Sequence, residues 1–98
     1  MNARERLLRL FVERSFREGD FVLASGRKSR FYVDCRTTTM HAEGQVLLGE
    51  VGADALEAAG LEPDVIGGLT MGADPIAYAI AGETWRRGRP VHLSLIHI

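Results

Sequence analysis

The chain has a single cysteine, Cys35, so it cannot form an internal disulfide. Its three histidines, His41, His92 and His97, are scattered, and no His-x-x-x-His pair occurs. No metal-ligand cluster is visible, and no metal-binding residue is assigned. No apolar run approaches the ~20 residues of a membrane span. The opening Met1-Asn2-Ala3-Arg4-Glu5-Arg6 is charged, unlike the apolar core of a signal peptide. Neither sign of charge dominates, since 12 Lys and Arg stand against 13 Asp and Glu, for a net −1. No basic field therefore argues for a nucleic-acid partner. Internal repeats and low-complexity segments are also missing. Together these absences point to the cytoplasm, with no membrane and no nucleic acid as partner.

What is present is an ordinary globular composition, 46% apolar and 26% charged, in 98 residues. That length supports one domain at most, with a small core. The chain is organised around Val65 to Ala81. A β-branched run, Val65-Ile66, enters Gly67-Gly68-Leu69-Thr70-Met71-Gly72-Ala73, and Asp74-Pro75 follows. No charge occurs from Val65 to Ala73, as expected of a strand buried on both faces. Asp74 is the expected N-cap of a helix and Pro75 its first residue. Glycines let the backbone approach a ligand closely, and a helix N-terminus offers bare N–H donors to an anion. The spacing matches neither common phosphate-loop motif. On these residues alone, a phosphate site and a tight packing turn both remain open.

The rest of the chain frames that stretch. Asn2 to about Arg17 reads as a helix ended by Gly19, with Leu7, Leu8, Phe11, Val12 and Phe16 on a core-facing stripe. Phe21-Val22-Leu23 and Arg30 to Asp34 read as two strands of a hairpin turning at Ser25-Gly26. Arg27, Lys28 and Arg30 lie at or near its tip, as either a solvated turn or an anion clamp. Cys35 to Met40 reads as a polar loop. His41 to Ala59 reads as a second helix, with Leu47, Leu48, Val51, Ala55 and Ala59 inward and Gly60 as its stop. Gly44, Gly49 and Gly52 either weaken that helix or let another backbone pack close. His41 is expected at the surface. A third helix runs from Pro75 to about Arg86, and Val91 begins another strand. The order helix, strand, helix, strand predicts a βαβ unit and a parallel sheet, with ligand beyond the strands' carboxyl ends.

Two stretches carry a family resemblance. Leu23-Ala24-Ser25-Gly26-Arg27-Lys28-Ser29-Arg30-Phe31-Tyr32-Val33-Asp34 resembles the N-terminal hairpin of orotate phosphoribosyltransferases. Gly67-Gly68-Leu69-Thr70-Met71-Gly72-Ala73-Asp74-Pro75-Ile76-Ala77 resembles their diphosphate-contacting loop. Order and spacing match over about Arg4 to Val91. The resemblance implies an α/β fold of the type I phosphoribosyltransferase kind: an N-terminal helix and hairpin hood, then the start of a parallel sheet with flanking helices. It implies transfer of phosphoribose from phosphoribosyl diphosphate to orotate, in pyrimidine synthesis, with Mg²⁺ and commonly as a homodimer. Tyr32 and Val33 align with the orotate-facing aromatic pair. Thr70, Met71, Gly72 and Ala73 align with the diphosphate loop. Ala24 stands where many members place a cation, which Arg27 or Lys28 would supply from nearby. Met71-Gly72 replaces a common Tyr-Lys, so diphosphate contacts would come from backbone N–H groups.

The family's mobile loop with catalytic Lys and His, and its acidic pair followed by Thr-Thr-Gly, have no match here. The resemblance therefore assigns no catalytic residue to this chain. Residues 1–91 are expected to be the N-terminal part of one phosphoribosyltransferase domain. Residues 92–98, His92-Leu93-Ser94-Leu95-Ile96-His97-Ile98, read as a non-native read-through tail. The chain alone is then expected to show no turnover. The alternatives are a non-catalytic regulatory module binding a nucleotide or phosphoribosyl diphosphate, and an unstable, inactive piece with an open sheet edge.

Overall fold

The computed structural model describes residues 1–96. The chain runs α1 (Ala3–Arg14), β1 (Phe16–Val22), β2 (Lys28–Val33), α2 (Arg36–Thr39), α3 (Ala42–Ala58), β3 (Val65–Leu69), α4 (Asp74–Arg86) and β4 (His92–Ile96). β1 and β2 form an antiparallel hairpin, and β3 and β4 pair in parallel. The predicted βαβ unit is therefore present as β3–α4–β4. β4 takes in the first five residues of the predicted tail, and His97 and Ile98 lie outside the described residues. α4 packs on β3 and β4, α3 packs on α4, and α1 packs on α3. No described helix is long and apolar enough to cross a membrane.

The first helix is shorter than its periodicity predicts. Asn2 caps it as expected, its side chain accepting from the Glu5 N–H at 2.9 Å. It stops at Arg14, three residues before the predicted end. Phe16 and Arg17 belong to β1, paired with Val33 and Tyr32. Gly19 is not a helix stop but sits at φ +155° in an irregularity between Glu18 and Phe21. A strand takes one extra residue there without losing its partner. The predicted core stripe is also corrected. Leu10 is the buried residue of α1, whereas Leu8, Val12 and Phe16 are exposed.

Cys35 to Met40, expected as a loop, contains the short helix α2, with Thr38 and Thr39 buried. α3 matches its prediction closely, and Gly60 at φ +69° follows its end. Its buried face is Gly44, Leu47, Gly49 and Ala53, while Ala55 and Ala59 are exposed, contrary to expectation. The glycines serve close packing. A Cβ on Gly44 would overlap the Thr38 carbonyl oxygen, and one on Gly49 would lie 2.5 Å from the Ala79 carbonyl oxygen. α3 and α4 also share an ionic lock. Arg87 donates to Asp54 at 2.9 Å, Glu57 at 3.2 Å and Glu83 at 2.9 Å.

β3 is not buried on both faces. Ile66 and Gly68 are half-buried, while Val65 and Leu69 are more than half exposed. Side chains alternate along a strand, so α4 covers one face and leaves the other open among the described residues. Asp74 is not the N-cap either. Ala73 holds that position, Asp74 is the first helical residue, and neither makes a side-chain capping bond.

Candidate functional site

Two groups of predicted site residues lie on different elements. The first is the hairpin. A tight turn closes it: Gly26 N–H donates to Leu23 O, and Leu23 N–H to Arg27 O, both at 2.8 Å. Gly26 has φ +82°, a left-handed value that favours glycine. Arg27 is exposed in that turn, and Lys28 begins β2. Among the described residues, Arg27, Lys28 and Arg30 have no carboxylate partner within ion-pair distance. Their charge is free for a ligand.

Strand alternation divides the hairpin into two faces. Lys28, Arg30 and Tyr32 share one, and Arg17 joins them opposite Tyr32. The Phe21 ring reaches the same side, 5.7 Å from the Tyr32 ring at 34°. The other face carries Val33, Phe31 and Phe16, with the two phenyl rings stacked at 5.8 Å. Tyr32 and Val33, predicted together, thus point their side chains to opposite faces. Arg30, Lys28 and Phe21 line a shallow groove of about 530 Å³ with Asp20, Val22 and Ser29. Tyr32, Arg17 and Phe21 line another of about 350 Å³ with Val22 and Asp34. The basic-aromatic face therefore includes Arg17 and Phe21, neither of which sequence reasoning had placed in the site. The missed signal was the alternation of a strand that starts at Phe16.

The second group is the turn from β3 into α4. Thr70, Met71 and Gly72 are exposed and Ala73 is half-buried. The Thr70–Met71 peptide is cis. The turn closes through the Ala73 N–H donating to Leu69 O at 3.0 Å. Gly68 lets it fold back, because a Cβ there would meet the Ala73 methyl at 2.5 Å. Gly67 likewise lets β4 approach, since a Cβ would overlap the Ser94 carbonyl oxygen. Gly72 differs from both. Among the described residues, nothing lies within 4 Å of where its Cβ would be, and its φ is not positive. Among the described residues, the backbone N–H groups of Met71 and Gly72 donate to no acceptor. They sit at the carboxyl end of β3 and the N-terminus of α4, where positive potential collects.

Asp74, two residues beyond Gly72, has Oδ1 buried without a hydrogen-bond partner among the described residues. No group of three potential metal-ligating side chains exists among the described residues. His41, expected at the surface, is half-buried, and its Nδ1 accepts from the Gly44 N–H at 3.4 Å. It caps α3 rather than facing the turn. The two hairpin grooves take no wall from the Thr70–Ala73 turn. A further cavity of about 480 Å³ lies at the opposite end of β3 and β4, lined by Leu61, Asp64, Arg89 and Val91 among others. Its arginine is already paired with Glu57.

A glycine-rich turn at the carboxyl end of a parallel pair, with a separate basic-aromatic hairpin, defines an α/β domain with two features chemically suited to an anion. No family model matches the chain. Named proteins do. It is 48% identical to an orotate phosphoribosyltransferase of a Bradyrhizobium species over 89 residues, 91% of this chain and 47% of the relative. It is 43% identical to the Aquifex aeolicus orotate phosphoribosyltransferase over 94 residues, 93% of this chain and 50% of the relative. Among solved structures, the Mycobacterium tuberculosis orotate phosphoribosyltransferase in complex with inorganic phosphate superposes with TM-score 0.82 at 35% identity. That match covers 97% of this chain and 54% of the other. By sequence and by fold, this chain belongs to the orotate phosphoribosyltransferase family. It spans about half the length of the curated relatives it matches.

Proposed function

We propose that this chain forms the hairpin and glycine-loop part of an orotate phosphoribosyltransferase. Such an enzyme is a glycosyltransferase of pyrimidine synthesis, joining orotate to the phosphoribosyl group and releasing diphosphate. The observation that carries the reading is the pair of N–H donors at Met71 and Gly72 on the amino end of α4, unspent among the described residues. They suit the diphosphate of phosphoribosyl diphosphate, with Thr70 and Ala73 shaping the turn. A Mycobacterium tuberculosis relative, 33% identical with TM-score 0.78, was solved in complex with phosphoribosyl diphosphate.

The hairpin supplies the second half of the site in this reading. Orotate is a flat, anionic ring. Tyr32 offers a stacking surface beside Phe21, and Arg17, Lys28 and Arg30 offer charge on the same face. Arg27 extends that charge at the tip. Val33 contributes its backbone alone, because its side chain faces the other way. Leaving-group chemistry at the anomeric carbon calls for positioning and charge neutralisation. The described residues offer no three-ligand metal cluster. Mg²⁺ is read as a companion of the substrate's phosphates, its preferred partners, where it would supply charge neutralisation. The working protein is read as a cytoplasmic homodimer with no nucleic-acid or membrane partner.

Two titrations of the ¹⁵N-labelled chain test the reading. Orotate is expected to move the amide resonances of residues 28–33, and diphosphate with Mg²⁺ those of residues 70–73. Orotidine monophosphate synthesis is expected in the longer protein and absent from the 98-residue chain. Binding of neither ligand would reject the assignment.

A further inference from the structure

The hairpin is carried by its base. Among the described residues, the hairpin touches the rest of the chain only slightly, mainly where α1 leads into β1. Its two strands close at Ser15 and Asp34, where the Asp34 N–H donates to Ser15 O at 3.0 Å. Beneath that point lies a buried hydroxyl cluster. Ser15 is 1% exposed and Thr38 is 0% exposed. The Ser15 Oγ lies 2.5 Å from Thr38 Oγ1 and 2.8 Å from Thr37 Oγ1. Thr37 Oγ1 in turn lies 2.8 Å from Arg14 O and 2.9 Å from Asp34 O.

Each hydroxyl has one proton to give. The carbonyls only accept, so Thr37 shares its one proton between them, Ser15 donates to Thr37, and Thr38 donates to Ser15. One direction satisfies all three, which makes the cluster rigid and specific. Its far side is fixed too. The Thr38 carbonyl sits where a Cβ of Gly44 would be, on the first turn of α3. α3 then holds α4 through Gly49 against Ala79 and through the Arg87 lock. α4 carries the Thr70–Ala73 turn. A continuous packed path thus runs from the hairpin to the turn, and it passes through Ser15 and Thr38.

We propose that Ser15 and Thr38 are positioning residues that set the hairpin's Arg17–Arg30–Tyr32 face relative to the rest of the site. This rests on the reading that the hairpin holds the pyrimidine and the turn holds the diphosphate. Neither hydroxyl touches substrate. Losing the cluster frees the hairpin base while α3, α4 and the turn stay in place. The effect should therefore fall on one ligand alone.

The test repeats the two titrations on variants of the whole chain. Thr38→Val keeps the shape and removes the donor; Ser15→Ala removes one oxygen. Each is expected to weaken orotate binding at least tenfold and to leave diphosphate binding within twofold. Thr38→Ser keeps the hydroxyl and is expected to bind orotate within twofold of the parent. Equal weakening of both ligands would reject the proposal, as would unchanged orotate binding in a folded variant. Failure of Thr38→Ser to behave better than Thr38→Val would also reject it. The α4 amide resonances report folding, and if Thr38→Val does not fold, Ser15→Ala decides. Unfolding of both would assign the cluster a structural role only. Failure of the underlying site reading is seen separately, in the parent chain, as no binding of either ligand.

Discussion

Gly49 on α3 lies directly against the main-chain carbonyl of Ala79 on α4, with only 2.5 Å between that oxygen and the place a Cβ would occupy. The contact is backbone to backbone, so no side chain can swing aside. Gly49→Ala should separate the helices and lower stability by about 1–3 kcal/mol. Gly82 provides the control. It lies on the exposed side of α4 with no described residue within 4 Å of a Cβ. Gly82→Ala should raise stability by about 0.5–1 kcal/mol through helix propensity and a less flexible unfolded chain. Urea midpoints of the two variants should move in opposite directions. A matching shift in both would show that helix propensity, not packing, governs Gly49.

The Arg87 lock makes the α3–α4 contact sensitive to acid. The Arg87 hydrogen bond, helped by Arg86, holds the Glu83 carboxyl below its ordinary 4.5, against the opposing effect of burial. Glu83 first, then Asp54 and Glu57, push the Arg87 guanidinium further up, so it stays charged throughout. A depressed carboxyl stabilises the fold fully above its unfolded value. That stabilisation fades as pH falls through the folded value. Arg87→Met should cost about 1–2 kcal/mol near pH 7. The gap between variant and parent should narrow from pH 7 towards about pH 3, as the pH falls towards the depressed Glu83 value. Stability measured by urea at the two pH values checks this. A gap that stays constant would mean that Arg87 acts through packing of its stem alone.

The hairpin's two faces separate the roles of neighbouring residues. If Tyr32 stacks on the pyrimidine, Tyr32→Ala should weaken orotate binding roughly tenfold, in line with aromatic–base stacking energies. Val33→Ala should change it less than about twofold, since its side chain faces Phe16 and Phe31. Arg30→Gln should act like Tyr32→Ala and also reduce the salt dependence of binding. Titration calorimetry of the three variants decides. Larger losses at Val33 than at Tyr32 would put the ligand on the opposite face.

The β3–turn–α4 unit was legible because its residues agree at every level: β-branched entry, glycines, then Asp-Pro. Its cap was misread by one position, since Asp74 and Pro75 fit N-cap and first residue as well as first and second. The burial of β3 misled for a different reason. Gly67 and Gly68 have no side chains, so no polar residue marks the open face, and a one-sided strand reads as a fully buried one. Phe16 was ambiguous in kind. It continues the helical stripe from Val12 and equally starts a strand alternation, and only its pairing with Val33 settles which. That single choice moved Arg17 from a helix to the hairpin face, so part of the candidate site depended on it. The hydroxyl cluster joins residues more than twenty positions apart and leaves no local pattern to find.

Gly72 separates ligand approach from folding. Gly44, Gly49, Gly67 and Gly68 are each required by a close neighbour, and Gly26 and Gly60 have positive φ. Gly72 has neither reason to be glycine. Among the described residues, its N–H and that of Met71 are unspent at the amino end of α4, and a bare backbone lets an anion come within hydrogen-bond reach. Gly72→Ala should therefore leave the urea midpoint unchanged or slightly raised. Diphosphate affinity should fall roughly tenfold, the loss of about one charge-assisted hydrogen bond. Orotate binding at the hairpin should be unaffected, because the grooves there take no wall from this turn. Unaltered diphosphate affinity in a stable Gly72→Ala chain would move the anion off this turn, and the basic hairpin face would be the place to look for it.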